Sequence, residues 1–147
     1  MSQTAEVSLR QEHDFRFAIE FAADRPAFLG DEPPPLGGAA GPSPAQLLVA
    51  AVGNCLSNSL LFALRKFRQA PEPIRTEATA VIGRNQEKRL RILEIRVRLT
   101  LGAERATFEH LDRALAQFEE FCTVTQSVRQ AIPVHIEVFD SSGEQLK

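Results

Sequence analysis

Hydrophobic and polar side chains alternate in several stretches of the chain, and this period of two predicts β-strands. Two such stretches, around residues 7–9 and 15–21, flank a polar turn and predict a hairpin. Two longer stretches, 74–82 and 93–101, predict a second hairpin. A last strand is expected at 134–138.

Two irregular regions interrupt this pattern. The Pro- and Gly-rich segment 22–41 predicts a loop, with a short extended piece at 27–29. In the second hairpin, Leu90 and Ile92 lie out of phase with the apolar row that begins at Leu93. Because a slip of one residue turns every later side chain to the opposite face, we predict a β-bulge near Ile92–Leu93.

A stretch without charged residues runs from Pro44 to Leu64 and predicts a long buried helix that ends near Phe67. Ser43 suits the N-cap, and Gln46 at the third helical position completes a capping box. The stretch is long enough to span a membrane. Its polar residues and the amphipathic strands around it favour a helix buried inside protein.

Four apolar residues recur at helical spacing and predict an amphipathic helix over residues 107–120; they are Phe108, Leu111, Leu115 and Phe118. Cys122 continues this stripe. A short helix is expected to follow as far as Ala131, because Pro133 disfavours its continuation.

The composition narrows the class of protein. The chain has 147 residues with no repeat and no linker, which predicts one domain over residues 1–147. Charged residues make up 24% and the net charge is −2, so nothing favours a nucleic-acid partner. The first residues, 1–6, are polar and contain no apolar signal segment. We therefore expect a cytoplasmic protein without a membrane partner.

The chain has two cysteines, Cys55 in the long helix and Cys122 on the inward stripe of the next one. In a reducing compartment they are either inert core thiols or a redox pair. A buried thiol is a poor nucleophile unless another segment brings a cation close to it. Helices packed in one core would bring the two sulfurs together if their Cα atoms came within roughly 4.4–6.8 Å. Spacing alone leaves both interpretations open.

The sequence gives little support for a metal site, a cofactor site or a serine hydrolase. The histidines His13, His110 and His135 lie on different predicted elements at no metal-ligand spacing, so we expect no metal and interpret them as solvated or edge residues. No phosphate-binding, dinucleotide-binding or serine-hydrolase motif is present, so no cofactor is expected.

Three parts of the chain carry a family resemblance. The first is Asp-Glu-Pro-Pro-Pro-Leu-Gly at 31–37, followed by Gly-Pro-Ser-Pro-Ala-Gln-Leu-Leu at 41–48. The second is the helix that runs into Ala-Val-Gly-Asn-Cys at 51–55. The third is Phe-Cys-Thr-Val-Thr-Gln-Ser-Val at 121–128, ahead of Pro-Val-His-Ile-Glu-Val at 133–138. Together these segments resemble the OsmC/Ohr family of peroxide-reducing thiol proteins.

The resemblance covers about residues 7–139 and implies an α+β fold of the OsmC type. In that fold antiparallel sheets wrap around long central helices in an intertwined homodimer, with the sites at the subunit boundary. It also implies that the Cys55 thiolate attacks the O–O bond of an organic hydroperoxide or hydrogen peroxide and becomes a sulfenic acid. Cys122 would condense with it to a disulfide, which an external thiol such as a lipoylated protein would reduce.

The sequence departs from the family pattern before the first cysteine. The family has a glutamate ten residues earlier, which helps to hold an active-site arginine. Here that position is Ala45, and its neighbour Gln46 is neutral. Glu32 of the Pro-rich loop is our candidate for a replacement carboxylate. Arg16 and Arg25 are the candidate arginines, and we favour Arg25 because a loop can reach over a partner's helix.

Two alternative functions stay open on the sequence. The missing carboxylate at Ala45 favours a non-catalytic OsmC-like dimer that binds a small apolar ligand between subunits. A hot-dog-type thioesterase also wraps a sheet around a long apolar helix. The element order argues against it, because the long helix here precedes two long strands and a second cysteine-bearing helix.

Overall fold

The protein is described by a computed structural model that covers residues 1–147. It contains six strands and three α-helices, which confirms the mixed α+β class. In chain order they are β1 (Ser8–His13), β2 (Arg16–Glu20), β3 (Phe28–Gly30), α1 (Pro44–Lys66), β4 (Arg75–Arg84), β5 (Leu90–Thr100), α2 (Leu111–Gln117), α3 (Thr123–Val128) and β6 (Val134–Phe139). Two 3₁₀ turns, Arg105–Thr107 and Phe118–Phe121, flank α2.

The chain forms two compact units, Met1–Leu48 and Val49–Lys147. The N-terminal unit contains an antiparallel sheet in the order β1-β2-β3. The predicted hairpin is confirmed, but β1 continues as far as His13 and the turn is shorter than expected. The expectation of one domain over the whole chain stays a prediction.

The loop after β3 folds around one carboxylate. Asp31 accepts hydrogen bonds from the backbone N–H groups of Glu32, Gly38 and Ala40 at 2.8, 3.2 and 3.0 Å. A Cβ at Gly37 would lie 2.3 Å from Asp31 Oδ1, so this close approach of the backbone requires glycine. The Pro-rich loop is therefore ordered by a side chain rather than by a strand.

The C-terminal unit contains a sheet in the order β4-β5-β6. Strands β4 and β5 form the predicted antiparallel hairpin, whereas β6 pairs with β5 in parallel, beginning at Ile95 opposite Val134. The expectation of purely antiparallel sheets was wrong at this edge. The chain reaches β6 through the segment that contains α2 and α3, and a crossover of that length permits parallel pairing.

The predicted β-bulge is confirmed. Val81 pairs with Glu94 and Ile82 pairs with Ile92, so Leu93 has no partner on β4. The extra residue restores the phase of the apolar row, and Ile95, Val97 and Leu99 are buried.

Helix α1 begins as its sequence predicts and ends at Lys66, one residue before the expected Phe67. The N–H of Ser43 donates to Gln46 Oε1 at 2.9 Å, and the N–H of Gln46 donates to Ser43 Oγ at 3.3 Å, which is a reciprocal capping box.

The inward face of α1 provides much of the core of the C-terminal unit. Its fully buried residues are Val52, Leu56, Leu60 and Leu64. By length and composition alone α1 could cross a membrane, a property that core helices of soluble proteins share.

The second predicted helix is broken into shorter pieces. A continuous helix over 107–120 was wrong: α2 starts after His110, which has a left-handed backbone (φ 57°), and a 3₁₀ turn follows it. Cys122 is extended (ψ 91°) and caps α3, which ends at Val128 rather than at Ala131. The apolar stripe itself is buried as predicted, and Phe118 is fully buried. A bent backbone can bury the same apolar stripe, so the spacing of apolar residues did not indicate where the helix breaks.

Candidate thiol site

Helix α1 places Cys55 at the border between core and surface. Its neighbour Leu56 is fully buried, whereas Asn54 and Asn58 are exposed and Cys55 is half-buried. Asn58 Nδ2 donates to Asn54 Oδ1 at 3.3 Å, so the two amides form a polar rim beside the thiol. Cys55 therefore lies where a solute can reach it.

Cys122 has a different environment, because it caps α3 from inside the core. Its side chain is fully buried. The Thr125 N–H lies 3.4 Å from Cys122 Sγ, which accepts its hydrogen bond, and the thiol donates to Thr125 Oγ1 at 2.9 Å. The break between α2 and α3 allows the sulfur to turn inward.

Both predicted thiols are free cysteines, and Cys55 packs against the hydrophobic cluster that contains Cys122. Burial raises the pKa of the Cys122 thiol, and the neighbouring Cys55 thiol raises it further. The hydroxyl and N–H of Thr125 oppose this rise. Cys122 therefore keeps its proton at neutral pH.

A groove of about 650 Å³ opens over Cys55. Besides the cysteine and the polar rim, it is lined by Ala51, Ser59, Phe62, Phe121 and Val124. The rings of Phe62 and Phe121 meet edge to face with their centroids 5.6 Å apart. Cys55 lines this groove and Cys122 does not. The site therefore exposes one sulfur to an apolar solute and shields the other.

No basic residue lines the groove, and no three His, Cys, Asp or Glu side chains lie together in a way that could hold a metal ion. The histidines His13, His110 and His135 are exposed on separate parts of the chain. Any positive charge at Cys55 has to come from outside the lining of the groove.

The candidate arginines and carboxylates belong to the N-terminal unit. There Arg16 Nε lies 3.7 Å from Asp31 Oδ2, and this nitrogen is buried without a hydrogen-bond partner. Arg25 is exposed, and Glu32 is half-buried. Within this unit the carboxylate next to an arginine is Asp31 rather than Glu32. The assignment of Arg25 and Glu32 to the thiol site stays a prediction.

Comparison with known proteins decides the family. Residues 37–137 match the family model of the OsmC-like proteins. The chain belongs to the OsmC family. This membership and the observed element order argue against the hot-dog thioesterase alternative. No curated protein matches the sequence.

Solved structures share the OsmC fold over nearly the whole chain. An OsmC-like protein from Mycoplasma pneumoniae superposes with a TM-score of 0.78 at 11% identity, covering 95% of this chain and 99% of its own. An OsmC-like protein of unknown function from Vibrio cholerae gives 0.74 at 21% identity, with 94% and 99% covered. The organic hydroperoxide resistance protein OhrB of Bacillus subtilis gives 0.69 at 18% identity, with 92% and 98% covered.

Sequence reasoning missed three residues of this OsmC chain. Thr125 follows Cys122 by three positions, which is the spacing of a helix cap, and this was the available signal. Phe121 faces the groove because the helix breaks before Cys122, and no local signal indicates that break. Asp31 is adjacent to the predicted Glu32, and the Gly residues that follow it were the signal for a backbone wrapped around a carboxylate.

Proposed function

We propose that this protein is a thiol-dependent peroxidase that reduces organic hydroperoxides or hydrogen peroxide through Cys55 and Cys122. One observation carries the proposal: two free thiols from distant parts of the chain belong to the same packed core, and only Cys55 lines the groove. If both cysteines were inert core residues, there would be no reason for one thiol to line a groove while the other is shielded. The apolar lining favours organic hydroperoxides.

The environments of the two thiols assign the order of steps. The Cys55 thiolate attacks one peroxide oxygen, the O–O bond breaks, and Cys55 becomes a sulfenic acid. The other oxygen leaves as an alcohol, or as water from hydrogen peroxide, after taking a proton from solvent. Cys122 then gives up its proton, its sulfur attacks the Cys55 sulfur, and the S–S bond forms as the sulfenic hydroxyl leaves as water with that proton. Burial keeps Cys122 away from peroxide, so it is the resolving thiol.

An arginine has to stabilise the attacking thiolate, because the groove has no cation of its own. Our candidates are Arg25 with Glu32 and Arg16 with Asp31. The ion pair between Arg16 and Asp31 favours Arg16. Backbone N–H groups, first that of Ala40, together with the Arg16 charge lower the pKa of Asp31, so it is ionised at neutral pH.

The proposal includes a cellular setting. The protein acts as a homodimer in the cytoplasm, where free thiols persist. An external dithiol, such as a lipoylated protein, attacks the Cys55–Cys122 disulfide and leaves it reduced while becoming oxidised itself.

Thiol counting tests the proposal. Reduced protein is titrated with cumene hydroperoxide, and the free thiols are counted after each addition. We expect the loss of two thiols per chain with one equivalent of peroxide, and no loss in Cys55→Ser at the same concentration. Thiols that survive excess peroxide would refute the peroxidase. Arg16→Gln and Arg25→Gln identify the cation. The variant that lacks the stabilising arginine should slow the reaction of Cys55 with peroxide at least about tenfold.

A non-catalytic dimer that binds a small apolar ligand is the second candidate. The apolar groove without a basic lining residue favours it. In that case a fluorescent fatty acid binds equally well to the native protein and to Cys55→Ser, whereas both thiols survive peroxide.

A further inference from the structure

Thr125 is a buried polar residue with no part in the reaction described so far. It is fully buried on α3, and both of its hydrogen-bonding groups face one atom. Its Oγ1 lies 2.9 Å from Cys122 Sγ and its N lies 3.4 Å from the same sulfur. A buried hydroxyl needs a partner, but threonine was not required here to fill space, because valine has nearly the same shape.

In the resting protein the Cys122 thiol donates its proton to Thr125 Oγ1, and the Thr125 N–H donates to the same sulfur. The sulfur has to lose this proton before it can attack Cys55 as a thiolate. A hydroxyl can turn and act as a donor as well as an acceptor, so Thr125 can hold the thiolate that forms.

We propose that Thr125 is a positioning residue for the resolving step: it holds Cys122 Sγ towards Cys55 and stabilises its thiolate with the hydroxyl and backbone N–H. This assignment deepens the proposed peroxidase function and rests on it for its biological meaning. Both groups of Thr125 lower the pKa of Cys122, against burial and the neighbouring thiol. The hydroxyl of the side chain is the part that mutation can remove.

The test uses Ellman's disulfide, which needs no peroxidase activity. Cys55 attacks it, releasing one thionitrobenzoate and forming a mixed disulfide on Cys55. Cys122 then attacks that Cys55 sulfur, the Cys55–Cys122 disulfide forms, and a second thionitrobenzoate leaves while the Cys122 proton passes to solvent. The second release is the resolving reaction, and Cys122→Ser abolishes it.

The decisive variants are Thr125→Val, Thr125→Ser and Thr123→Val. Loss of one hydrogen bond to a charged sulfur predicts that Thr125→Val slows the second release about tenfold and moves its pH profile to higher pH, with the first release unchanged. Thr125→Ser restores the hydroxyl and the native rate. Thr123 is exposed on the same helix, so Thr123→Val makes the same chemical change away from the sulfur and leaves both phases native.

Two outcomes would overturn the assignment. In one, Thr125→Val releases the second thionitrobenzoate at the native rate and with the native pH profile. In the other, Thr125→Ser is as slow as Thr125→Val, which would mean that restoring the hydroxyl does not restore the resolving step. Thr125→Ala repeats the test if the valine variant does not fold, as judged by its melting curve.

Measurements on the native protein and on Thr125→Val also distinguish this inference from the peroxidase proposal. If native thiols survive peroxide but Ellman's disulfide closes the pair more slowly in Thr125→Val, the peroxidase is refuted and the role of Thr125 stands. If peroxide oxidises both thiols and Thr125→Val resolves at the native rate, the peroxidase stands and the role of Thr125 is refuted.

Discussion

At the scale of single residues, Cys55 and Cys122 carry the same thiol in two environments. Cys55 is half-buried beside an open groove, whereas Cys122 is fully buried and hydrogen-bonded to Thr125. Reactivity follows the environment, because only an accessible thiolate meets a peroxide. The two cysteines are therefore not interchangeable, although the sequence presents them alike.

Removing the shielded thiol tests this difference. Cys122→Ser keeps the first reaction, so each chain loses one thiol to one equivalent of cumene hydroperoxide. Without a resolving partner the Cys55 sulfenic acid persists, is trapped by dimedone, and is oxidised further to sulfinic acid by excess peroxide. Mass spectrometry measures the added oxygens. If Cys55 of Cys122→Ser neither reacted with dimedone nor was oxidised to sulfinic acid, Cys122 would not be the resolving thiol.

Asp140 is a residue whose charge stabilises the fold away from the site. It accepts hydrogen bonds from the N–H groups of Arg105, Ser142 and Glu144 and from the Ser142 hydroxyl. These bonds, first that of Arg105, lower the pKa of Asp140 to about 2. The carboxylate therefore ties the C-terminal tail to the 3₁₀ turn at Arg105–Thr107.

The pH dependence of this contribution has a definite sign. Because the folded pKa is depressed from 3.8 to about 2, the stabilisation is present above pH 3.8 and is lost as the pH falls towards about 2. Asp140→Asn should lower the free energy of unfolding near neutral pH, and the difference from the native protein should shrink in this acid window. Urea unfolding measures it, with the exposed Asp24→Asn as control. A difference that stays constant into acid would contradict the prediction.

At the scale of elements, α1 packs closely over β4. A Cβ at Gly53 would lie 3.5 Å from Ala78 Cβ and 3.5 Å from Thr76 Cγ2, which is ordinary contact. Ser57 Oγ lies 2.6 Å from Thr76 Oγ1 and adds a polar contact between helix and strand. The helix that carries Cys55 is therefore fixed to the sheet on its inward side.

This packing predicts a size limit at Gly53. Gly53→Ala fits and should stabilise the protein by up to about 1 kcal/mol, because alanine has the higher helix propensity. Gly53→Leu has no room and should destabilise it by about 1–3 kcal/mol. Thermal and urea unfolding measure both, with Ala50→Gly at an exposed helix position as the reverse control, expected to cost about 1 kcal/mol. Equal stability of the alanine and leucine variants would show that the helix is not held against β4.

The segment around Cys122 is held by Glu119. This half-buried carboxylate contacts Lys147 Nζ at 2.7 Å and Arg129 Nη2 at 3.0 Å. Although burial alone would raise its pKa, these hydrogen bonds lower the pKa of Glu119. Its backbone oxygen also accepts the N–H of Cys122 at 3.0 Å. The broken second helix is thus stabilised by contacts with the end of the chain.

At the scale of the whole molecule, large apolar side chains remain exposed in both units. In the N-terminal unit they include Val7, Leu9, Phe15 and Phe21, each about half exposed. In the C-terminal unit they include Ile82, Leu90 and Leu93 of the β4–β5 hairpin. Exposed apolar area of this kind marks an interaction surface. It supports the proposed homodimer.

Light scattering after size exclusion tests the dimer. We expect a mass of twice 16.3 kDa for the native protein. Leu9→Lys should weaken association at least about tenfold, since burying a leucine contributes about 1.5–3 kcal/mol. Arg10→Lys changes the next exposed residue and should leave the dimer intact. A native protein that elutes as a monomer at micromolar concentration would contradict the prediction.

Local patterns were sufficient for much of the fold. Some features depend only on residues that are close together in the chain and can be predicted from the sequence. They are the alternating stretches, the bulge at Leu93 and the capping box of Ser43 and Gln46. The position of Cys55 inside a long helix was predictable for the same reason.

Other features depend on contacts between distant residues, and only the tertiary structure decided them. They are the parallel pairing of β6, the break that turns Cys122 into a helix cap, the Arg16–Asp31 pair and the different exposure of the two thiols. The energies of these contacts arise only when distant segments share a buried environment. For that reason the sequence determined which elements form, whereas tertiary packing decided which sulfur is exposed and which is shielded.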